Sequence, residues 1–106
     1  NSAHLVCEIA EQISGPLFLS GDFNAAPSEE CYSVMEKTLS DSSKIAPIKY
    51  GHKYTYCGFS SNDGCSIIDY IWTNNQSRAL KFGVLPAGFD GENFSDHRVL
   101  LAEFEI

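Results

Sequence analysis

Three short polar clusters hold the side chains best suited to chemistry: Gly21-Asp22-Phe23-Asn24, Ile68-Asp69-Tyr70 and Ser95-Asp96-His97. Asp22 and Asn24 stand two apart, so on an extended backbone their side chains leave the same face. A carboxylate there orients or deprotonates a water, and a carboxamide NH2 donates to an oxyanion. Asp96 offers hard oxygen ligands to a divalent metal, while the imidazole of His97 is suited to work on a phosphate. Asp69 lies in an otherwise apolar stretch, where a buried carboxylate without a partner is costly. It needs a donor, and His97 is the candidate. Each cluster also has a plainer reading. Asp and Asn hydrogen-bond local backbone in turns, and Ser-Asp is a common turn or cap.

Each cluster adjoins an apolar run of strand length, which places the polar groups at strand ends. Residues 2–13 carry Leu5, Val6, Ile9 and Ile13 on one helical stripe, with Gly15 and Pro16 as the stop. The short run Leu17-Phe18-Leu19-Ser20 reads as a buried strand, central in a sheet. Pro27-Ser28-Glu29-Glu30 opens a second helix, which is expected to run to Leu39 with Val34, Met35 and Leu39 inward. Residues 40–50 read as loop by composition. Residues 53–59 and 66–73 read as strands around an Asn62-Asp63-Gly64 turn, and residues 80–85 as a further short strand. Residues 86–93 read as loop, and the last run sets Ala102, Phe104 and Ile106 against Glu103 and Glu105, a strand with one wet face. Two helices among five or so strands predict a layered α/β or α+β domain.

At 106 residues the chain is one domain at most. Its 14 Asp and Glu against 7 Lys and Arg give a formal net charge of -7. No basic stripe is present, which excludes bulk attraction to DNA by phosphate neutralisation. Acidic residues gathered at one point favour a divalent cation instead, while the scattered Glu8, Glu11, Glu103 and Glu105 serve solubility. The four cysteines, Cys7, Cys31, Cys57 and Cys65, lack the Cys-x-x-Cys spacing of a structural zinc site. Cys57 and Cys65 flank the predicted turn and could pair across it, or remain free thiols. No run approaches the roughly 20 apolar residues of a membrane span. The start Asn1-Ser2-Ala3 has neither an initiator Met nor a signal-peptide pattern, and reads as cut from something longer. His52, beside Lys53 and Tyr54, reads as solvated. Tyr54, Tyr56, Phe59, Tyr70 and Trp72 read as core rather than a base-stacking platform.

The three clusters, in this order and at these separations, resemble the C-terminal half of the endonuclease/exonuclease/phosphatase family, the deoxyribonuclease-I-like phosphoesterases. In that family a strand ends in Gly-Asp-Phe/Leu-Asn, a later strand carries Ile/Leu-Asp-Tyr, and Ser-Asp-His precedes the last strand. The resemblance covers almost the whole chain and includes the first helix. It implies an α+β fold, part of a four-layer α/β sandwich with two helices on a mostly antiparallel sheet, residues 1–106 being the C-terminal portion. It also implies metal-dependent hydrolysis of a phosphodiester or phosphomonoester by activated water. Asp22 would align the water, Asn24 stabilise the pentavalent phosphorane, His97 contact or protonate the scissile phosphate and Asp69 orient His97. Asp96 would hold magnesium or manganese. The family's other half supplies an Asn, a metal-binding Glu and a mid-chain His not found here, so this chain alone is expected to lack a complete active site. The missing N-terminal half is then the expected partner. The family includes nucleases, sphingomyelinases, inositol-phosphate phosphatases and deadenylases, so a nucleic-acid substrate is open. The alternatives are a non-catalytic fragment or degenerate domain acting as a binding or scaffold module, and a metal-binding structural module whose aspartates are turn carboxylates.

Overall fold

A computed structural model describes residues 2–56, 65–85, 88–89, 92–93 and 97–106. Its elements in chain order are α1 (Ser2–Glu11), β1 (Phe18–Asp22), α2 (Glu30–Glu36), β2 (Ser40–Asp41), α3 (Ser42–Ile45), β3 (Ile48–Gly51), β4 (Asp69–Thr73), β5 (Arg78–Leu85), β6 (Gly88–Phe89), β7 (Glu92–Asn93) and β8 (Val99–Glu105).

The alternation within β4 organises the layers. Tyr70 and Trp72 leave one face and are 1% and 0% exposed, packed with Tyr32, Val34 and Met35 of α2 and with Ala3, Cys7 and Ala10 of α1. Ile71 leaves the other face and packs against the cluster of Phe82, Val84, Leu100 and Phe104. β4 lies between β1 and β2, antiparallel to both, and β5 lies between a parallel β3 and an antiparallel β8. α1 and α2, the first sheet and the second sheet therefore stack in that order, with Phe18 of β1 meeting Phe104 of β8 at 4.6 Å between ring centroids. This is the expected α+β, mostly antiparallel architecture.

Several elements differ from the sequence expectation, each for a visible reason. The large stripe of α1 faces outward: Leu5, Ile9 and Ile13 are 58%, 53% and 41% exposed. The buried stripe is Ala3, Cys7 and Ala10, whose small side chains let the helix sit close to α2 and the sheet. β1 is an edge strand with Phe18 half-exposed, not a buried central one. Its apolar run shows that both faces are apolar, not that both are covered. α2 is a short helix, although Val34, Met35 and Leu39 are buried as expected.

Residues 40–50 are not loop but hold β2, α3 and β3. Buried Asp41 makes this possible by capping α3: Oδ1 accepts from the N–H and hydroxyl of Ser43, and Oδ2 accepts from the Tyr32 hydroxyl at 2.8 Å. α3 is thus a third helix beyond the two expected. Before Tyr56 the expected strand of residues 53–59 reduces to isolated bridges from Tyr56 to Ser66 and His97. The expected loop at 86–93 contains the paired β6 and β7. Cys7 and Cys31 are free and Cys65 is disulfide-bonded, while Cys57 and the Asn62-Asp63-Gly64 turn lie outside the described residues.

Candidate active site

Asp22 is the last residue of β1 and Asp69 the first of β4, and the antiparallel register sets them directly opposite one another. Two carboxylates on one rung repel unless a cation or donor sits between them. His97, two residues ahead of β8, occupies that place. Its Nδ1 lies 3.1 and 3.0 Å from the two oxygens of Asp69, and its Nε2 lies 3.5 Å from Oδ2 of Asp22. An ionised carboxylate only accepts, so Nδ1 carries the proton toward Asp69 and Nε2 faces Asp22. Side-chain exposure is 13% for Asp69, 31% for His97 and 37% for Asp22, so the site opens to solvent on the Asp22 side.

Asp22 serves two partners. Its Oδ1 accepts the N–H of Asn24 at 2.9 Å, and Asn24 has φ +51, a left-handed conformation that Asn tolerates. The chain therefore leaves the strand in an Asx turn, and the same-face argument for an extended Asp22–Asn24 pair does not apply. Asn24 is exposed. The turn reading of Asp22 is realised on Oδ1, while Oδ2 faces the imidazole of His97. Asp96 and Ser95 lie outside the described residues.

Three residues that the sequence reasoning did not single out for the site hold it in place. The hydroxyl of buried Thr55 accepts the N–H groups of Ile68 at 3.0 Å and Asp69 at 3.1 Å, while its carbonyl accepts from Arg98 at 2.7 Å. One residue thus fixes the chain at both Asp69 and His97. The ring of Tyr56 lies 4.9 Å from that of His97. The hydroxyl of Tyr70 donates to the Ala25 carbonyl at 2.6 Å, anchoring the turn that carries Asn24. Burial pushes the Tyr70 phenol above its ordinary range and keeps it a donor. The only sequence signal was general, since a Thr or Tyr hydroxyl in an apolar strand must find a partner.

Asp22, Asp69 and His97 each offer a ligand atom, all within 4.8 Å of one another. Two carboxylates and an imidazole have the chemistry to hold a divalent cation. Both Asp69 oxygens are engaged by the imidazole, and Asp22 is the more exposed carboxylate of the two.

Residues 2–97 match the Endonuclease/Exonuclease/phosphatase family, and the chain belongs to that family. An endonuclease/exonuclease/phosphatase from Bacteroides vulgatus is similar at 27% identity and a TM-score of 0.87, over 99% of this chain and 42% of that one. A mannosyl-6-phosphatase from Bacteroides thetaiotaomicron is similar at 25% identity and a TM-score of 0.81, over 99% of this chain and 45% of that one. A functionally unknown conserved protein from Enterococcus faecalis reaches 33% identity and a TM-score of 0.73, over 84% of this chain and 36% of that one. The chain spans less than half the length of these solved structures. The comparison with curated proteins gives no match. Among the described residues no helix is long and apolar enough to cross a membrane.

Proposed function

We propose that residues 1–106 are the C-terminal portion of a metal-dependent phosphoesterase domain that hydrolyses a phosphodiester or phosphomonoester by activated water. The observation that carries this reading is the imidazole of His97 held between Asp69 and Asp22. Family membership and the similarity to a mannosyl-6-phosphatase support it, and the partial coverage of both relatives supports a second half of the domain as partner.

A phosphate ester repels a nucleophile through its own negative charge, so catalysis needs positive charge and an aligned water more than a covalent nucleophile. Asp22 orients the attacking water with the oxygen not engaged by the Asn24 amide. His97, as the imidazolium protonated on both ring nitrogens, contacts the scissile phosphate through Nε2–H and donates that proton there. Asp69 accepts from Nδ1–H, which orients the ring and stabilises the imidazolium. Asn24 donates its carboxamide N–H to the pentavalent phosphorane. Asp96 is the proposed metal ligand. Magnesium or manganese, when bound, neutralises charge on the phosphate oxygens.

A second reading, a non-catalytic binding or scaffold module, draws on the apolar side chains exposed on α1 and on β3 and β8, such as Leu5, Ile9, Ile48, Val99 and Leu101. Turnover separates the two. Hydrolysis of p-nitrophenyl phosphate and bis(p-nitrophenyl) phosphate is to be measured with magnesium or manganese, in the 106-residue chain and in the full-length protein. The phosphoesterase reading expects turnover in the full-length protein that a chelator abolishes and either metal restores, and little in the 106-residue chain. Turnover indifferent to both Asp22→Ala and His97→Ala would count against the assigned roles.

A further inference from the structure

In a chain with twice as many acidic as basic residues, Lys44, Lys49, His52 and Lys53 fall within ten positions. Lys44 is paired with Glu36 at 3.0 Å. Lys49 and Lys53 have no carboxylate partner among the described residues: the Lys49 ammonium donates to the Lys44 carbonyl at 3.3 Å, and that of Lys53 lies 5.3 Å from the centre of the Tyr54 ring. Both lysines and His52 line a cleft of about 360 Å³ floored by Phe82 and Val84, and among the described residues no carboxylate lines it.

The segment carrying these groups is fixed. Gly51 has φ +88 and packs so closely on the Val84 carbonyl that a Cβ would collide with it, and the N–H of His52 donates to the same carbonyl at 3.0 Å. The topology sets the cleft on the same sheet as β8, the strand that follows His97. Gly51 pairs with Val84, and Val84 pairs with Leu100 near the start of β8, three residues after His97. Two strand spacings, about 10 Å, separate Gly51 from that strand.

We infer that this cleft binds a second anionic group of the substrate. The substrate class is then a phosphoester that carries a further phosphate or carboxylate beyond the scissile phosphate. The identity of the bound molecule rests on the phosphoesterase reading, whereas the affinity of the cleft for an anion does not. The apolar Phe82 and Val84 that share the cleft with both lysines lower the local dielectric, which strengthens the attraction of these lysines for an anion relative to open solvent.

The test is a titration of the 15N-labelled full-length protein with inorganic pyrophosphate, following the amides of Gly51, His52 and Lys53 and the ring of His97. Saturable shifts at residues 51–53 are expected. Affinity at those residues should fall about tenfold in the Lys49→Gln/Lys53→Gln double variant, as expected for two exposed charge pairs. Lys81→Gln, which removes a charge from outside the cleft, should leave it unchanged. Malonate in place of pyrophosphate separates a carboxylate preference from a phosphate one. Shifts absent at 51–53, or weakened equally by Lys81→Gln, would overturn the inference. A response of His97 without one at 51–53 removes the second site and leaves the phosphoesterase reading intact. A response at 51–53 without one at His97 does the reverse.

Discussion

The two ends of β4 each carry a polar side chain, and they spend it differently. At the far end Asn74, which follows the strand, satisfies main chain only. Its Oδ1 accepts the N–H groups of Leu17 and Gln76 at 3.2 Å, and its Nδ2 donates to the Gly15 carbonyl at 2.8 Å. The carboxamide thereby joins the entry to β1 to the turn after β4. At the near end Asp69 gives both oxygens to the imidazole of His97, which in turn faces Asp22. Among the described residues no main-chain group is the target of that carboxylate. A polar residue consumed by backbone builds the fold. One held by another side chain at a solvent-facing rung is set up to act on something else.

Substitutions at the two ends should therefore separate activity from stability. The largest effect is expected for His97→Ala and Asp22→Ala, each lowering kcat of the full-length protein about a thousandfold with little change in the unfolding midpoint. Steady-state kinetics and thermal unfolding on the same samples check both halves of that statement. Asp69→Asn keeps the shape but loses the ionised acceptor that orients the imidazole, so kcat should fall roughly a hundredfold with KM nearly unchanged. An Asp69→Asn protein with normal kcat would reduce Asp69 to a structural carboxylate. Asn74→Ala is expected to cost about 1–3 kcal/mol in denaturant unfolding, because two partly buried backbone partners and one exposed one lose their bonds. Its kcat at a temperature where it stays folded should match the unsubstituted protein. A large loss of kcat there would erase the distinction between the two ends.

What the sequence made legible follows the same division. The pairing of Asp69 with His97 was accessible because a carboxylate amid apolar residues demands a donor, and few donors stand at strand ends. Strand alternation correctly assigned Tyr70 and Trp72 to the core. Helical periodicity identified α1 but not its buried face, because burial there follows the close fit of Ala3, Cys7 and Ala10 rather than total apolar bulk. Hydropathy cannot rank two apolar stripes when only one has a neighbour. Residues 40–50 failed for a different reason. Their order depends on Asp41, whose cap on α3 is local but whose bond to Tyr32 and pairing with Trp72 are tertiary. Burial and the hydrogen bond to Asp41 push the Tyr32 phenol above its ordinary range, so this bond persists across the usual working pH. Asn24 shows the limit of spacing arguments, since a single positive φ cancels the rule that residues two apart share a face.

Thr55 stands between the two kinds of residue and offers the finest test of the comparison. Its hydroxyl accepts only backbone N–H groups, as Asn74 does in part, yet one of those belongs to Asp69. Its carbonyl fixes Arg98, the neighbour of His97. Thr55→Val preserves shape and removes the acceptor, which should cost about 1–2 kcal/mol of stability through two unsatisfied, partly buried N–H groups. If main-chain anchoring matters to the dyad only through position, kcat should fall a further severalfold beyond what instability explains. The His97 ring resonances would shift as its bond to Asp69 loosens. Thr55→Ser keeps the acceptor and loses only a methyl group, so it should recover most of kcat while remaining slightly less stable. Equal kcat in the Val and Ser variants would place Thr55 with Asn74, as a residue that builds the sheet and leaves the geometry of the site to others.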